Sequence, residues 1–406
     1  MKKLSTTTRR YSWTQTLLIV GIILIAFNLR PAITSVGPLI GIIRDDLQLE
    51  NWNAGLITSL PLLAFAAMSP LAPKIGNRFG NERALLLGLF LLLIGILIRS
   101  IAMIVTLYIG TTLVGLGIAL CNVLLPGLIK EKFPNKIGMM TAVYTTCMSI
   151  FAATASGMSI PLANGLDLGW QQALVSWSAL AGIAIIVWLY LVKGQNPSSK
   201  QNLFEPSAGR LLKSPMAWQV TLFMGLQSFL FYVTISWLPE ILHSNGFSIA
   251  TGGWLLSFMQ FISLPATFLT PILAGRLKNQ QIIVAIITLF ALVGYSGLLF
   301  GGPLGIMIIW ITLIGFALGS SISLALALLG LRASNSRQAA ELSGMAQSFG
   351  YLLASLGPII IGLIYDIMNS WTPSIITILL VTLFLLLFGL GASRNKNVLE
   401  NKVRSH

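Results

Sequence analysis

Twelve apolar runs, each about as long as a bilayer is thick, leave this chain little choice of fold. A hydrocarbon core of about 30 Å needs roughly 20 apolar residues in a helix. Runs of that length lie at approximately 14–43, 52–73, 82–102, 104–129, 137–162, 170–192, 216–241, 250–275, 281–300, 303–330, 339–364 and 372–392. Charged residues make up 9% of the 406 positions, against about 25% in a soluble domain. An all-α membrane protein of twelve transmembrane helices is therefore expected, embedded in the cell membrane.

The net charge of +14 is distributed in a way that excludes nucleic acid as its reason. With the N-terminus placed inside, 22 of 25 Lys and Arg fall on one side of the membrane, and Arg30, Arg44 and Arg99 are the remainder. Basic residues favour the cytoplasmic face, so both termini are expected there. Adding or removing one span would scramble the alternation. Met1 to Arg10 is basic, but the apolar run after it continues through a full span with no cleavage site of the secretory kind.

The longest interior break, Lys193 to Pro215, is polar and reads as a linker. It predicts an N-terminal six-helix bundle over 1–193, a cytoplasmic linker over 194–215, and a C-terminal six-helix bundle with a short tail over 216–406. The halves echo each other: Pro73-Lys-Ile-Gly-Asn-Arg78 after span 2 returns as Pro271-Ile-Leu-Ala-Gly-Arg276 after span 8. The same offset aligns Gly55 with Gly253 and Gly117 with Gly315. Parallel six-helix repeats are a transporter architecture with the substrate site at their interface near the midplane. Spans 3, 6, 9 and 12 have almost featureless centres, as helices facing lipid do, so every third helix is expected on the outside.

Arg30 sits midway along the first run, and no acidic residue lies at matching depth in any other. A guanidinium near the bilayer centre costs at least a few kcal/mol and persists when it faces a cavity or a partner. An anionic or strongly polar solute is the expected partner. On a regular helix Ile23, Phe27, Arg30, Thr34 and Gly37 share a face, and Asn28 points elsewhere. Pro31 disturbs the helix beside Arg30. Candidate substrate-binding residues are Arg30 and Thr34 in span 1, Asn122 in span 4, Tyr144 in span 5, Gln227 in span 7, and Gln347 and Tyr351 in span 11. Glu240 and His243, about one turn apart at the outer end of span 7, form a candidate proton-coupling pair. Arg99, at the outer end of span 3, is expected to snorkel to headgroups. Glu341 is expected to pair with Arg332 or Arg337, and Asp45, Asp46 and Glu50 to form a solvated outer loop.

Two segments carry a family resemblance. Asn28-Leu-Arg30-Pro31-Ala-Ile-Thr34-Ser-Val-Gly37-Pro38 in span 1 resembles the signature of the cyanate/2-nitroimidazole transporter family of the major facilitator superfamily. So does Leu342-Ser-Gly344-Met-Ala-Gln347-Ser-Phe-Gly350-Tyr351, running on to Gly357-Pro358, with Trp371-Thr-Pro373 opening span 12. The superfamily's motif in the 2–3 loop is degraded, with Pro73 at its Gly, Asn77 at its Asp and Asn81 at its second Arg. The resemblance implies the major facilitator fold and a solute such as cyanate or a nitroimidazole-like heterocycle.

The residues and the resemblance together predict a secondary active transporter of a small anionic or polar solute working by alternating access. A drug or toxicant exporter of the same fold is the alternative. An enzyme would need paired carboxylates, clustered His or a nucleophile with a base inside the membrane, and none is present. Cys121 and Cys147 lie in apolar runs, and His243 and His406 are far apart, so neither a disulfide framework nor a metal site is expected. Without a Gly-x-x-x-x-Gly-Lys segment, ATP-driven pumping is excluded. No cofactor is expected, and the partners are a small-molecule substrate and the lipid bilayer around a monomer.

Overall fold

The computed structural model describes residues 2–133, 137–193, 210–334 and 336–399, so the core of the expected linker lies outside the described residues. The described residues form helices and turns, with no strand among them. Eleven of these helices are long and apolar enough to cross a membrane. Span 2, Asn51–Met68, completes the expected twelve; Asn51 and Asn53 make its first turn polar.

Span 1 comes in pieces: Lys2–Leu29, Pro31–Thr34, a 3-10 turn Gly37–Leu39, and Ile40–Asp46. A short helix, Ala72–Phe79, follows span 2 and ends at Gly80, whose φ of 87° requires glycine. Spans 3 and 4 are Asn81–Arg99 and Ile104–Lys132. Span 5, Ile137–Ile160, runs into a π turn at Pro161–Gly165, and span 6 is Gly169–Val175 plus Ser178–Lys193. Spans 7 to 12 are Pro215–Ser244, Ile249–Arg276, Gln281–Phe300, Leu304–Leu331, Ser336–Met368 and Trp371–Ala392. Serine starts three of them, each accepting from a backbone N–H two or three residues on: Ser214 from Ala217, Ser248 from Thr251, and Ser370 from Thr372.

The chain forms two compact units. The first holds Met1–Val36 with Ala67–Asn202, and the second holds Gly37–Ala66 with Leu203–His406. The end of span 1 and most of span 2 thus belong with the C-terminal spans.

Within the first unit, spans 3 and 4 meet along a seam of small residues spaced seven apart, Gly88 and Gly95 against Gly110 and Gly117. A Cβ on Gly117 would stand 2.5 Å from the Gly88 carbonyl oxygen and 2.7 Å from the Leu92 nitrogen. Both obstacles are backbone, so the helices would have to separate. Membrane helices associate through such close packing because lipid offers no hydrophobic drive between them. Cys121 lies in the same seam, fully buried, with its thiol 3.6 Å from the Leu85 carbonyl. Gly117→Val is expected to cost about 1–3 kcal/mol by overpacking, read as a lower melting temperature in detergent. A parental melting curve would mean that the seam is looser than drawn.

Within the second unit span 7 is the central element, buried along nearly its whole length. It approaches span 11 where Gly225 faces Gly350, a Cβ on Gly225 lying 3.0 Å from the Gly350 Cα. Thr234 of span 7 and Tyr295 of span 9 share a hydrogen bond of 2.6 Å. Exposure does not single out every third helix, because spans 8 and 11 are as open as spans 6 and 12. A helix lining an aqueous cavity exposes its face as fully as one lying against lipid, so featureless sequence and exposure are separate signals.

Candidate substrate-binding site

The break in span 1 is local chemistry. Pro31 lacks an N–H, and its ring displaces the carbonyl it would otherwise have joined. The helix stops at Leu29, Arg30 turns at φ −111° and ψ −42°, and Pro31–Thr34 begins a fresh turn in which Ile33 and Thr34 donate to the Arg30 carbonyl. Arg30 is half-buried at this break. The face expected of a regular helix therefore ends at Arg30, and Thr34 and Gly37 follow a different path.

A broken helix in lipid must satisfy its released carbonyls, and three side chains in the first unit do so. Arg99 donates through Nη1 to the Ala32 carbonyl at 2.5 Å. Ser156 shares its hydroxyl proton between the Thr34 carbonyl and the Ala152 carbonyl of its own helix, both at 3.2 Å, and Ser159 shares its own between the Ser35 carbonyl at 2.9 Å and Ala155 at 2.6 Å. The Thr34 hydroxyl returns the contact, donating to the Ala152 carbonyl at 3.0 Å. Arg99 is thus not snorkelling to headgroups. It is 1% exposed, and its Nε and Nη2 have no hydrogen-bond partner among the described residues. Unmatched buried donors cost about 1–3 kcal/mol each, a burden the two serines avoid. Snorkelling failed as an expectation because the last turn of span 3 faces span 4, where a Cβ on Gly110 would stand 2.2 Å from the Arg99 nitrogen.

Around Arg30 in the same unit, Phe27 stacks on Phe151 with ring centroids 3.8 Å apart. Asn28 is buried and donates back to the Leu24 carbonyl at 2.7 Å. Asn122 and Tyr144 are half-buried on spans 4 and 5.

In the second unit Gln227 is 1% exposed; its amide nitrogen donates to the Met224 carbonyl at 3.0 Å and to Ser228 at 2.7 Å, and its Oε1 has no partner among the described residues. Gln347 is half-buried and donates to the Ser343 hydroxyl one turn back at 2.9 Å. The half-buried Tyr351 meets Phe65 edge-on at 5.4 Å.

Glu240 and His243 do not face one another. His243 is exposed, with Nδ1 3.0 Å from the Phe247 carbonyl. Glu240 is buried and accepts from Arg44 Nη1 at 3.3 Å. Gly41 makes room for this carboxylate, because a Cβ there would lie 2.1 Å from Glu240 Oε1. Arg44 also donates to Asn51 Oδ1 at 2.8 Å and to Asp45 at 2.9 Å. Asn51 in turn gives its backbone N–H and its amide to Asp366 Oδ1 at 3.0 and 2.6 Å, and Trp52 N–H goes to Oδ2 at 2.8 Å. A chain of polar contacts therefore runs from span 7 through span 1 to span 2 and span 11. Sequence reasoning passed over Asp366, although a carboxylate at the first N–H groups of a helix is a favourable cap. Asp45, Asp46 and Glu50 are exposed, as expected of a solvated segment, but Asp45 and Asp46 close the helix Ile40–Asp46 and only Glu50, accepting from the Trp52 indole, lies in the loop after it. Arg332 binds the end of span 12 through the Ala392 and Ser393 carbonyls at 2.9 and 3.0 Å, with Gln280 alongside.

The family model described as Major Facilitator Superfamily matches residues 16–358. The chain belongs to that superfamily. Within it, the chain is 52% identical over 385 residues to the uncharacterized transporter YycB of Bacillus subtilis (strain 168), covering 95% of each protein. It is 42% identical over 382 residues to the 2-nitroimidazole transporter of Escherichia coli (strain K12), covering 94% of this chain and 96% of that one. The cyanate transport protein CynX of the same bacterium is 24% identical over 351 residues, 86% of this chain and 90% of CynX. This major facilitator chain is therefore a member of the cyanate/2-nitroimidazole transporter family, as the span 1 and span 11 motifs implied. The fold recurs in the nucleoside transporter NupG, with a TM-score of 0.76 at 14% identity over 92% of this chain and 99% of that one. It recurs also in a bacterial Spinster homologue, with a TM-score of 0.74 at 14% identity over 94% and 97%. The superfamily member is accordingly a multi-pass membrane protein of transporter type.

Proposed function

We propose that this chain is a secondary active transporter of a small anionic or strongly polar solute, a cyanate-like anion or a nitroimidazole-like heterocycle, working by alternating access. The observation that carries the reading is Arg30, a cation at a proline-made break midway along span 1. Its desolvation, about 2.5 kcal/mol or more, is offset when the solute brings negative charge. A rigid fork of five donors suits a planar anion better than an ammonium does. The 42% identical 2-nitroimidazole transporter and the 24% identical cyanate transport protein support the solute class.

Arg30 is the anchor, with Asn122 and Tyr144 lining its half. Gln227, Gln347 and Tyr351 are the proposed neutral polar groups of the second unit, and the Gln227 Oε1, without a partner among the described residues, suits a heterocycle N–H. The Thr34 hydroxyl is committed to Ala152 and serves the break itself. The six-span halves 1–193 and 216–406 are proposed as the alternating bodies of a monomer, with residues 37–66 packed in this structure with the C-terminal spans. Uptake of labelled 2-nitroimidazole and cyanate into proteoliposomes, with and without a pH gradient, tests the reading. Saturable uptake of at least one is expected; saturable uptake of neither would refute the solute class.

Both termini face the cytoplasm in this reading, since 22 of 25 basic residues lie on one side. Reporters fused after Arg394 or within Asn196–Pro206 are expected to read as cytoplasmic, and a periplasmic signal from either would overturn the orientation. Glu240 and His243 are proposed as two separate proton-coupling groups, since they do not meet as a pair. Transport in Glu240→Gln and His243→Ala is expected to lose part of its pH dependence, and parental profiles in both would exclude the two groups.

A further inference from the structure

Arg99 holds a carbonyl that a hydroxyl could hold. Ser156 and Ser159 perform the same task on the Thr34 and Ser35 carbonyls, two and three residues along, with no charge to bury. A scaffold role alone would leave the guanidinium its desolvation and two nitrogens with no partner, and would gain one hydrogen bond. A cation retained under those terms is doing something that its charge makes possible. Its contact falls on Ala32, two residues after Arg30, inside the broken segment that sets where the Arg30 side chain leaves the backbone.

We propose that Arg99 is a positioning residue of the substrate site: it pins the break in span 1 that aims Arg30, and it keeps a second positive charge beside that break, without touching the solute. The inference rests on the reading of Arg30 as the solute anchor. Span 4 supports the placement, since only a glycine at 110 lets it pass against the Arg99 backbone. Ser156 and Ser159 on span 5 hold the far side of the segment, so the break is gripped from two helices. A pinned break keeps the five donors of Arg30 in one place before the solute arrives, and preorganised donors bind more tightly than donors that must first be ordered.

The test uses full-length reconstituted protein and three variants: Arg99→Gln, Arg99→Lys and the double change Ser156→Ala with Ser159→Ala. Backbone hydrogen exchange over residues 32–36 is measured beside affinity for 2-nitroimidazole. Arg99→Gln keeps an amide donor but loses the charge and the reach; exchange in that segment is expected to rise roughly tenfold and affinity to fall roughly tenfold. Arg99→Lys restores the charge and should recover most of the affinity. The serine double change should raise exchange while costing less affinity. Unchanged exchange over 32–36 in Arg99→Gln overturns the proposal, and so does faster exchange with parental affinity, which would leave Arg99 a scaffold group only. If Arg99→Gln does not fold, Arg99→Lys and the serine pair carry the same two readouts. Parental affinity in Arg30→Ala would defeat the anchor reading itself, whereas loss there with parental affinity and exchange in the Arg99 variants would defeat only this inference.

Discussion

Arg30→Ala is expected to abolish specific solute binding and leave the melting temperature of the detergent-solubilised protein close to the parent. The side chain can offer two charge-assisted hydrogen bonds, worth about 1.5–3 kcal/mol each, so a loss of roughly 100-fold or more in affinity follows. Stability should survive because the change relieves the desolvation of a cation placed mid-span. Arg30→Lys should impair binding without always abolishing it, since an ammonium keeps the charge and loses the planar fork. Isothermal binding and melting measured on the same preparations decide the matter. Parental affinity with a markedly lowered melting temperature would make Arg30 a strut between helices and sink the binding-site reading.

The second large effect is one of stability, at the polar chain through Arg44. Arg44→Ala leaves Glu240 buried without its cation and removes a donor from Asn51. Stranding one member of a buried pair costs about 3–5 kcal/mol. With the Arg44 side chain 21% exposed, water screens part of that, and about 2–3 kcal/mol is the expected loss. Adding Glu240→Gln should return most of it, because the stranded charge is then gone, and a thermodynamic cycle over the two positions should give a coupling above about 1 kcal/mol. Arg44→Ala melting with the parent, or a cycle that closes at zero, would reduce the contact to a solvated surface pair.

Most of the architecture could be read from the linear chain because lipid imposes it. Span length, the side on which basic residues gather and the Arg-Pro and Gly-Pro punctuation of span 1 are all local signals. The seven-residue spacing of the glycines in spans 3 and 4 was passed over, because only their packing shows that the two rows meet. The misreadings share one cause. Arg99 at the end of an apolar run looks the same whether its helix turn faces headgroups or a neighbour, and the choice was made by Gly110 on another helix. Asp366 and Asn51 are 315 residues apart, and no local pattern announces that one caps the other. Glu240 and His243 lie a turn apart in sequence, yet Arg44 claims the carboxylate and the ring turns to the Phe247 carbonyl. Spacing along a helix limits which side chains can meet; partners on other helices decide which ones do.

The burial of Cys121 has a practical side. A thiol sealed in a helix seam has little access to a labelling reagent, since reactivity requires both thiolate and approach. Cys147 on span 5 is half-buried, so Cys147→Ser alone should yield a background that is silent to maleimides while folded. Asn122→Cys or Gln347→Cys in that background would then read when each position opens to reagent during transport. Cys121 itself becomes a clock: its labelling in lipid should proceed only as fast as spans 3 and 4 part, giving a native, unmodified reporter of how often the first unit breathes.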